Sequence, residues 1–392
     1  MQIKQIMDLI KDEQLIALGK EYQVDKVNHK ITGGFILKTF VRSSLLGRAI
    51  SLRSMEEMVP LSGELSGLLK TKKGSVTVDH SSIGKRLQTI KPEYFKAVYE
   101  GLVEQSDKYF SKKEKTNLHR FDSTIINLSG RIIKDGLKLG GKDKDSQIKM
   151  SVGLKGQIPT SIRFCTSQSE SSEAIALVKA INEAKLDKED ILLFDRGLMK
   201  ATAYEDFKRR EIKFVTRINV GRRHRIVQEF SAEQQTFVNG LRVKRDALIN
   251  LYNGSIRILP CDFRLVIVID NKGKELWFLT NLSELSGIEI ADIYKRRWDI
   301  EVFFKFIKQH LQFKHFISHS QNGMMVYIYS LLIAAILFTI FKVTNKLSGF
   351  KIPLLRFCLL LEKELLQDVV ILSGGNWDLI KDKILPSPTN FF

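Results

Sequence analysis

Tyr294-Lys-Arg-Arg297-Trp-Asp-Ile-Glu301-Val-Phe-Phe-Lys-Phe-Ile-Lys308 is the stretch on which the reading of this chain turns. At about 100° per residue, Tyr294, Arg297, Glu301 and Lys308 fall within an arc of roughly 60° on one face of a helix. Ser286, with Glu289 three positions on, reads as a capping box that opens that helix. Ile293, Ile300, Phe304, Ile307 and Leu311 form an apolar stripe beside the polar arc. The stripe can therefore be buried while the arc lines a cleft. A carboxylate flanked by Arg, Lys and Tyr suits a site that handles phosphates, with Glu301 on a metal ion and the cations on a nucleic acid. An amphipathic helix with a solvated, charged flank has the same spacing, because charged helix faces are common. Spacing alone leaves both readings open.

Tyr294-x-x-Arg297-Trp298-x-Ile300-Glu301, with Lys308 seven residues later, resembles the YREK signature of DDE transposases of the "insertion sequence four" family. In that family the Glu is the third catalytic carboxylate, carried on a helix of a ribonuclease-H-like domain. The resemblance implies two further aspartates upstream, each at a strand end. Leu118-His-Arg-Phe121-Asp122-Ser-Thr124 is a short extended run ending on Asp122. Asp190-Ile-Leu-Leu-Phe194-Asp195-Arg196-Gly197 is four apolar residues, a carboxylate and a Gly turn. Such an apolar run suits a central strand buried on both faces, and an acidic residue just past it would sit at the sheet edge where ligands bind. By itself each Asp reads as an ordinary turn or cap residue. Asp122-Ser-Thr and Asp195-Arg-Gly resemble the family's first and second catalytic blocks, in the right order. Leu198 departs from the family, which often carries an aromatic there.

On this resemblance Asp122, Asp195 and Glu301 hold two ions of Mg²⁺ or Mn²⁺ per active site. Three gathered carboxylates repel one another without cations, and hard oxygen ligands select these ions over zinc. Arg297 and Lys308 would bind phosphates near the cleaved end, and Tyr294 would position one through its hydroxyl. Arg217, at the end of Lys213-Phe-Val-Thr-Arg217, joins them as a candidate DNA contact. Trp277, in Glu275-Leu-Trp-Phe-Leu-Thr280, resembles an insertion-domain Trp that takes up an extruded base when the end forms a hairpin, with spacing one residue shorter. An ordinary core Trp explains it as well.

Composition fits a nucleic-acid partner. Lys and Arg number 62 against 44 Asp and Glu, a net charge of +18, and a balance of that size favours polyanions through counterion release. It does not separate nucleic acid from an anionic membrane surface. Cys165, Cys261 and Cys358 are widely spaced and odd in number, which suggests a reducing cytoplasm and no zinc motif. The N-terminus lacks the pattern of a secretory signal. Met324 to Phe341 carries no charge and is about as long as a minimal membrane span. Standing alone between a motif helix and a mixed C-terminal segment, it is expected to be a buried core helix. In the family the corresponding helix packs against the sheet.

Residues 1–110 read as a helical N-terminal DNA-binding region, with helices over Lys4 to Leu18, Gly34 to Leu46 and Pro92 to Phe110. Short helices at Ser51 and Ser81 flank the basic turn Lys70-Thr-Lys-Lys-Gly74, a pattern compatible with a helix-turn-helix in which Lys85 and Arg86 contact DNA. A helical cap with solvated lysines fits the same residues. Residues 111–218 form the first part of the catalytic domain: extended runs at Gln147–Gly153 and Thr160–Cys165, then alternating helices and strands, which predicts a mixed α/β sheet covered by helices. Residues 219–284 are a β-rich insertion with runs at Arg225–Phe230, Gly254–Leu259, Arg264–Asp270 and Glu275–Asn281. Residues 285–345 carry the motif helix and the end of the catalytic domain, and 346–392 a C-terminal helical region.

The resemblance implies a bacterial, cytoplasmic, nucleoid-associated enzyme that cuts and pastes transposon-end inverted repeats into target DNA. It would act as a homodimer on DNA, through end hairpins, with no membrane partner. A metal-dependent nuclease without strand transfer, a non-catalytic repressor and a membrane protein with a basic domain are the competing classes.

Overall fold

The structure is a computed structural model. It describes residues 1–26, 30–47, 51–69, 77–110, 117–127, 147–165, 167–170, 172–197, 200–231, 237–254, 257–313, 318 and 320–384. The basic turn at 70–74 and Leu198 lie outside them. Among the described residues the chain makes two compact units, one from 1–110 and 306–392, the other from 111–305.

The chain opens with helices α1 (Ile3–Met7), α2 (Asp12–Glu21), α3 (Gly33–Leu45), α4 (Leu52–Met58), α5 (Gly63–Gly67), α6 (His80–Thr89) and α7 (Pro92–Ser106). Thr32, Ser51, Ser62 and Asp79 each accept a hydrogen bond from the first turn of the helix they precede, satisfying an otherwise orphaned amide. The single helix expected over Lys4 to Leu18 is two. The apolar stripe of Ile3, Ile6 and Ile10 loses step before Leu15, and Asp12 and Glu13 supply a new acidic first turn. Helix α3 is buried along its whole length. Its Lys38 is therefore paired, with Asp12 at 2.5 Å and Glu64 at 2.7 Å, and its Arg42 is paired with Glu64.

The second unit is a nine-stranded mixed sheet flanked by helices. Strands β1 (Leu118–Asn127), β2 (Gln147–Lys155) and β3 (Ile158–Cys165) form an antiparallel meander. Helix α8 (Glu173–Glu183), β4 (Ile191–Phe194), α9 (Ala201–Arg209) and β5 (Lys213–Ile218) follow, with β4 parallel to both β1 and β5. Then come β6 (His224–Ser231), β7 (Leu241–Asn253), β8 (Arg257–Asp270) and β9 (Glu275–Thr280). The order across the sheet is β3-β2-β1-β4-β5-β9-β8-β7-β6. The expected β-rich insertion therefore extends the same sheet, because β9 pairs with β5. Two of its expected runs are one strand, β8, and β7 was not expected. Lys244, Arg245 and Asp246 mask the apolar alternation of β7, and its pairing with β8 shifts between Val243 and Arg245.

Strand residues alternate between two covered faces. Phe121, Leu192, Phe194 and Phe214 pack with Leu177 and Ile181 of α8 and Tyr204 and Phe207 of α9. Leu118, Ile191, Leu193, Val215 and Phe278 face the other way, onto Ile290 and Ala291 of α10 (Gly287–Lys295). Helix α11 (Trp298–His310) comes next, followed by α12 (Gln321–Thr344), α13 (Lys351–Leu372) and α14 (Trp377–Ile384).

Helix α12 is the one described helix long and apolar enough to cross a membrane, and 94% of its most apolar window is buried. The expected burial is thus found. The helix packs against α3, α6 and α7, with Phe40 edge-on to Tyr327 at 5.7 Å and Tyr99 against Tyr329 at 5.8 Å. A helix apolar on every side needs cover on every side, and the N-terminal helices supply it.

Candidate active site

Phe121 and Phe194 are register partners at the end of the parallel β1–β4 ladder. The next residue on each strand is an aspartate, so Asp122 and Asp195 stand side by side. Strand β1 does not end there as expected. It continues to Asn127 against β2, with Asp122 opposite Val152, and only the pairing with β4 stops. Each carboxylate is steadied by the amide that follows it: Ser123 donates to Asp122 at 2.7 Å and Arg196 to Asp195 at 2.8 Å.

The motif helix differs from expectation in one respect. The capping box at Ser286 and Glu289 is present, but the helix it opens ends at Lys295 and a second begins at Trp298. Across the break the Arg297 amide bonds to the Tyr294 carbonyl at 2.9 Å and the Asp299 amide to the Arg296 carbonyl at 3.2 Å, a tighter turn than α-helix. The shared arc of a continuous helix is lost, yet three of its residues still meet. Tyr294 donates its hydroxyl to Asp195 at 3.3 Å. Arg297 lies over the Tyr294 ring, 5.8 Å from its centre, and pairs with Glu301 at 2.5 Å. Asp195, Tyr294, Arg297 and Glu301 thus form one linked chain of contacts.

Burial pushes the Asp122 carboxyl up to about 6. The Ser123 amide and the Arg297 charge oppose that rise, and Glu173 and Glu301 reinforce it. Burial likewise raises Tyr294, helped by the Asp195 charge. For Arg297, burial acts to lower the pKa, but the bond to Glu301 together with the charges of Tyr294, Glu301 and Asp195 outweighs it and raises the pKa. Its Nε is enclosed with no hydrogen-bond partner. The site is rich in hard carboxylate oxygens and short of positive charge, a donor set suited to divalent Mg²⁺ or Mn²⁺.

Sequence reasoning missed Glu173. It opens α8 behind the Ser172 cap, and its carboxylate lies against Gly197, where an added Cβ would come within 2.8 Å of it. The contact places an acid beside the turn two residues past Asp195, although the exposed Glu173 side chain can swing clear of a Cβ there. The only signal was a glutamate in a capped first turn, which many helices carry.

The other candidates are dispersed. Arg217 is partner to Phe278 in the β5–β9 ladder, and its charge acts on Tyr294, so it belongs with the site. Trp277 projects to the opposite face, against the α8 and α9 cluster. Its Nε1 donates to Glu275 at 3.0 Å and its ring meets His224 edge-on at 5.7 Å. Lys308 lies in the last turn of α11, in the share of the chain that joins the other unit. Lys85 is exposed on α6. Arg86 is buried, donating to the Val24 carbonyl at 2.7 Å and the Ile31 carbonyl at 3.1 Å and pairing with Asp25 at 3.2 Å. Its charge is spent inside the bundle, which corrects its expected place among DNA contacts. Glu56, Asp79 and His80 also gather within 4.8 Å, but local bonding accounts for them: His80 lies on Glu56 at 2.8 Å and Asp79 caps α6.

A mixed sheet whose neighbouring parallel strands lead into aspartates, with a glutamate brought up by a helix behind them, is the ribonuclease-H-like arrangement. The chain belongs to the DDE transposase family: the model of the transposase DDE domain matches residues 121–337, more than half of the chain and a span that contains Asp122, Asp195 and Glu301. Among similar proteins, one named as a transposase in Sinorhizobium fredii is 30% identical over 119 residues, 30% of this chain and 33% of that protein. A protein named for insertion sequence element IS4SA of Synechocystis is 23% identical over 309 residues, 78% of this chain and 81% of its own length. One named for insertion sequence element IS5377 of Geobacillus stearothermophilus is 23% identical over 182 residues, 45% and 46% of the two chains. The chain thus spans a third, four-fifths and under half of these relatives.

Proposed function

We propose that this chain is the transposase of an insertion sequence of the "insertion sequence four" kind, cutting transposon ends and joining them to target DNA. The observation that carries the reading is the gathering of Asp122, Asp195 and Glu301 through strand pairing, Tyr294 and Arg297. These three carboxylates would hold two Mg²⁺ or Mn²⁺ ions. Such ions, when bound, activate the attacking oxygen and stabilise the leaving oxygen of an in-line displacement at phosphorus. The chain's own residues do the rest. Pairing of β1 with β4 presets the two aspartates. The Tyr294 hydroxyl holds Asp195, and Arg297 holds Glu301 while offering a charge that a DNA phosphate would share. Arg217 and Lys308 add positive charge for the strand, and the +18 balance draws in the duplex. End hairpins and a homodimer on transposon-end repeats belong to the same reading.

The test is a set of amide variants, Asp122→Asn, Asp195→Asn and Glu301→Gln. Each is expected to abolish cleavage of the element's ends in Mg²⁺ while leaving end binding largely intact, since each loses a metal ligand and no DNA contact. Near-normal cleavage by any one would remove that residue from the ligand set. Wild-type protein given a 3′-hydroxyl end should yield strand-joining products. Cleavage without joining would mark a nuclease.

A further inference from the structure

Arg120 is fully buried on β1, two residues before Asp122 and on the same face. An unpaired guanidinium in such a place would be strongly unfavourable, and its bonds show where it is held. Nε donates to the Arg296 carbonyl at 2.7 Å, and Nη2 forms an ion pair with the Asp299 carboxylate at 2.9 Å, outside hydrogen-bond alignment. The remaining donor reaches the carbonyls of Gly156 at 3.2 Å and Leu118 at 3.3 Å. Arg296 and Asp299 bracket the break between α10 and α11, and Arg297, the partner of Glu301, lies between them.

We infer that Arg120 is a positioning residue: it ties the helix break to β1 and so fixes Glu301 relative to Asp122. The planar guanidinium of arginine suits the task, because it donates to a carbonyl from Nε while its charge stands beside a carboxylate, which a lysine cannot do in one geometry. Strand pairing alone sets Asp122 beside Asp195, whereas Glu301 comes from a helix with no ladder to hold it. Removal of the clamp therefore loosens Glu301 and leaves the two aspartates in place. The inference rests on the proposed metal-binding role of the three carboxylates.

The experiment is direct Mn²⁺ binding to the full chain without DNA, read by electron paramagnetic resonance, beside the metal-free Tm. Asp299→Ala and Arg120→Lys are expected to weaken Mn²⁺ binding about tenfold, the lower end for residues that orient a ligand. Asp299→Ala leaves the buried Arg120 guanidinium without its carboxylate and is expected to lower the metal-free Tm, so Mn²⁺ binding is read well below the metal-free Tm of each variant, and the Glu301→Gln background separates positioning from general destabilisation. Arg296→Ala, which removes the exposed side-chain partner of Asp299 at 3.2 Å but keeps the carbonyl, should bind Mn²⁺ as wild type. In a Glu301→Gln background Asp299→Ala should add no further loss, because the ligand it positions is already gone. Unchanged affinity in Asp299→Ala, or an equal further loss in the Glu301→Gln background, overturns the inference. Mn²⁺ binding that survives both Asp122→Asn and Glu301→Gln overturns instead the metal reading on which it rests.

Discussion

Asp122 is held in a place that disfavours its charge, and this has a measurable sign. Its folded pKa of about 6 stands above the ordinary 3.8. The stabilising contribution is therefore complete below the unfolded value and lost as pH rises through about 6. At pH 7 without metal the ionised group costs on the order of 3 kcal/mol. Asp122→Asn should accordingly raise the metal-free Tm by a few degrees at pH 7, with the gain fading toward pH 4. Differential scanning fluorimetry across pH checks this, and a gain independent of pH would trace it to something other than the Asp122 charge. Gly197→Ala should change stability by no more than about 0.5 kcal/mol, because the exposed Glu173 side chain turns away from the added Cβ, and a large drop in Tm would show that Glu173 is held in place. The three carboxylates were legible because each sits in a short motif. Glu173 and Arg120 were not: one resembles any acidic first turn, and the other a strand residue facing water.

Among the elements, β7 and the motif helix show what a sequence can and cannot carry. The capping box at Ser286 was readable, since it needs only two residues three apart. Ser286→Ala should lower Tm by the equivalent of about 1 kcal/mol, and an unchanged melt would show that α10 is held by packing alone. The break at Arg296 was not readable, because its partner Arg120 is distant in the chain and no local breaker marks it. The sequence fits Trp277 equally to base stacking and to packing, and the fold turns it onto the α8 and α9 cluster. Trp277→Ala is expected to lower Tm and to reduce first-strand nicking and hairpin formation together. A selective loss of hairpin products at unchanged Tm, rescued by an abasic nucleotide at the turn, would restore the stacking role.

At the scale of the whole molecule, the charge of +18 makes DNA affinity a function of ionic strength. Arg297→Ala should flatten the salt dependence of end binding by about one unit of slope for a lost phosphate contact. An unchanged slope would leave Arg297 as the holder of Glu301 alone. The helical unit, by contrast, draws on both ends of the chain, and the expected N-terminal and C-terminal regions were separate in the sequence because nothing local announces that α3 and α12 share a core. That arrangement bears on synthesis. At about 5–20 residues per second, roughly ten to fifty seconds pass on the ribosome between completion of α7 and completion of α12. Throughout that interval the side of α3 that α12 covers, Phe40 against Tyr327 included, stays open, and every strand of the sheet is made within it. The nascent chain therefore completes its candidate catalytic half first and carries a sticky, unfinished N-terminal half behind it, a natural client for a ribosome-associated chaperone.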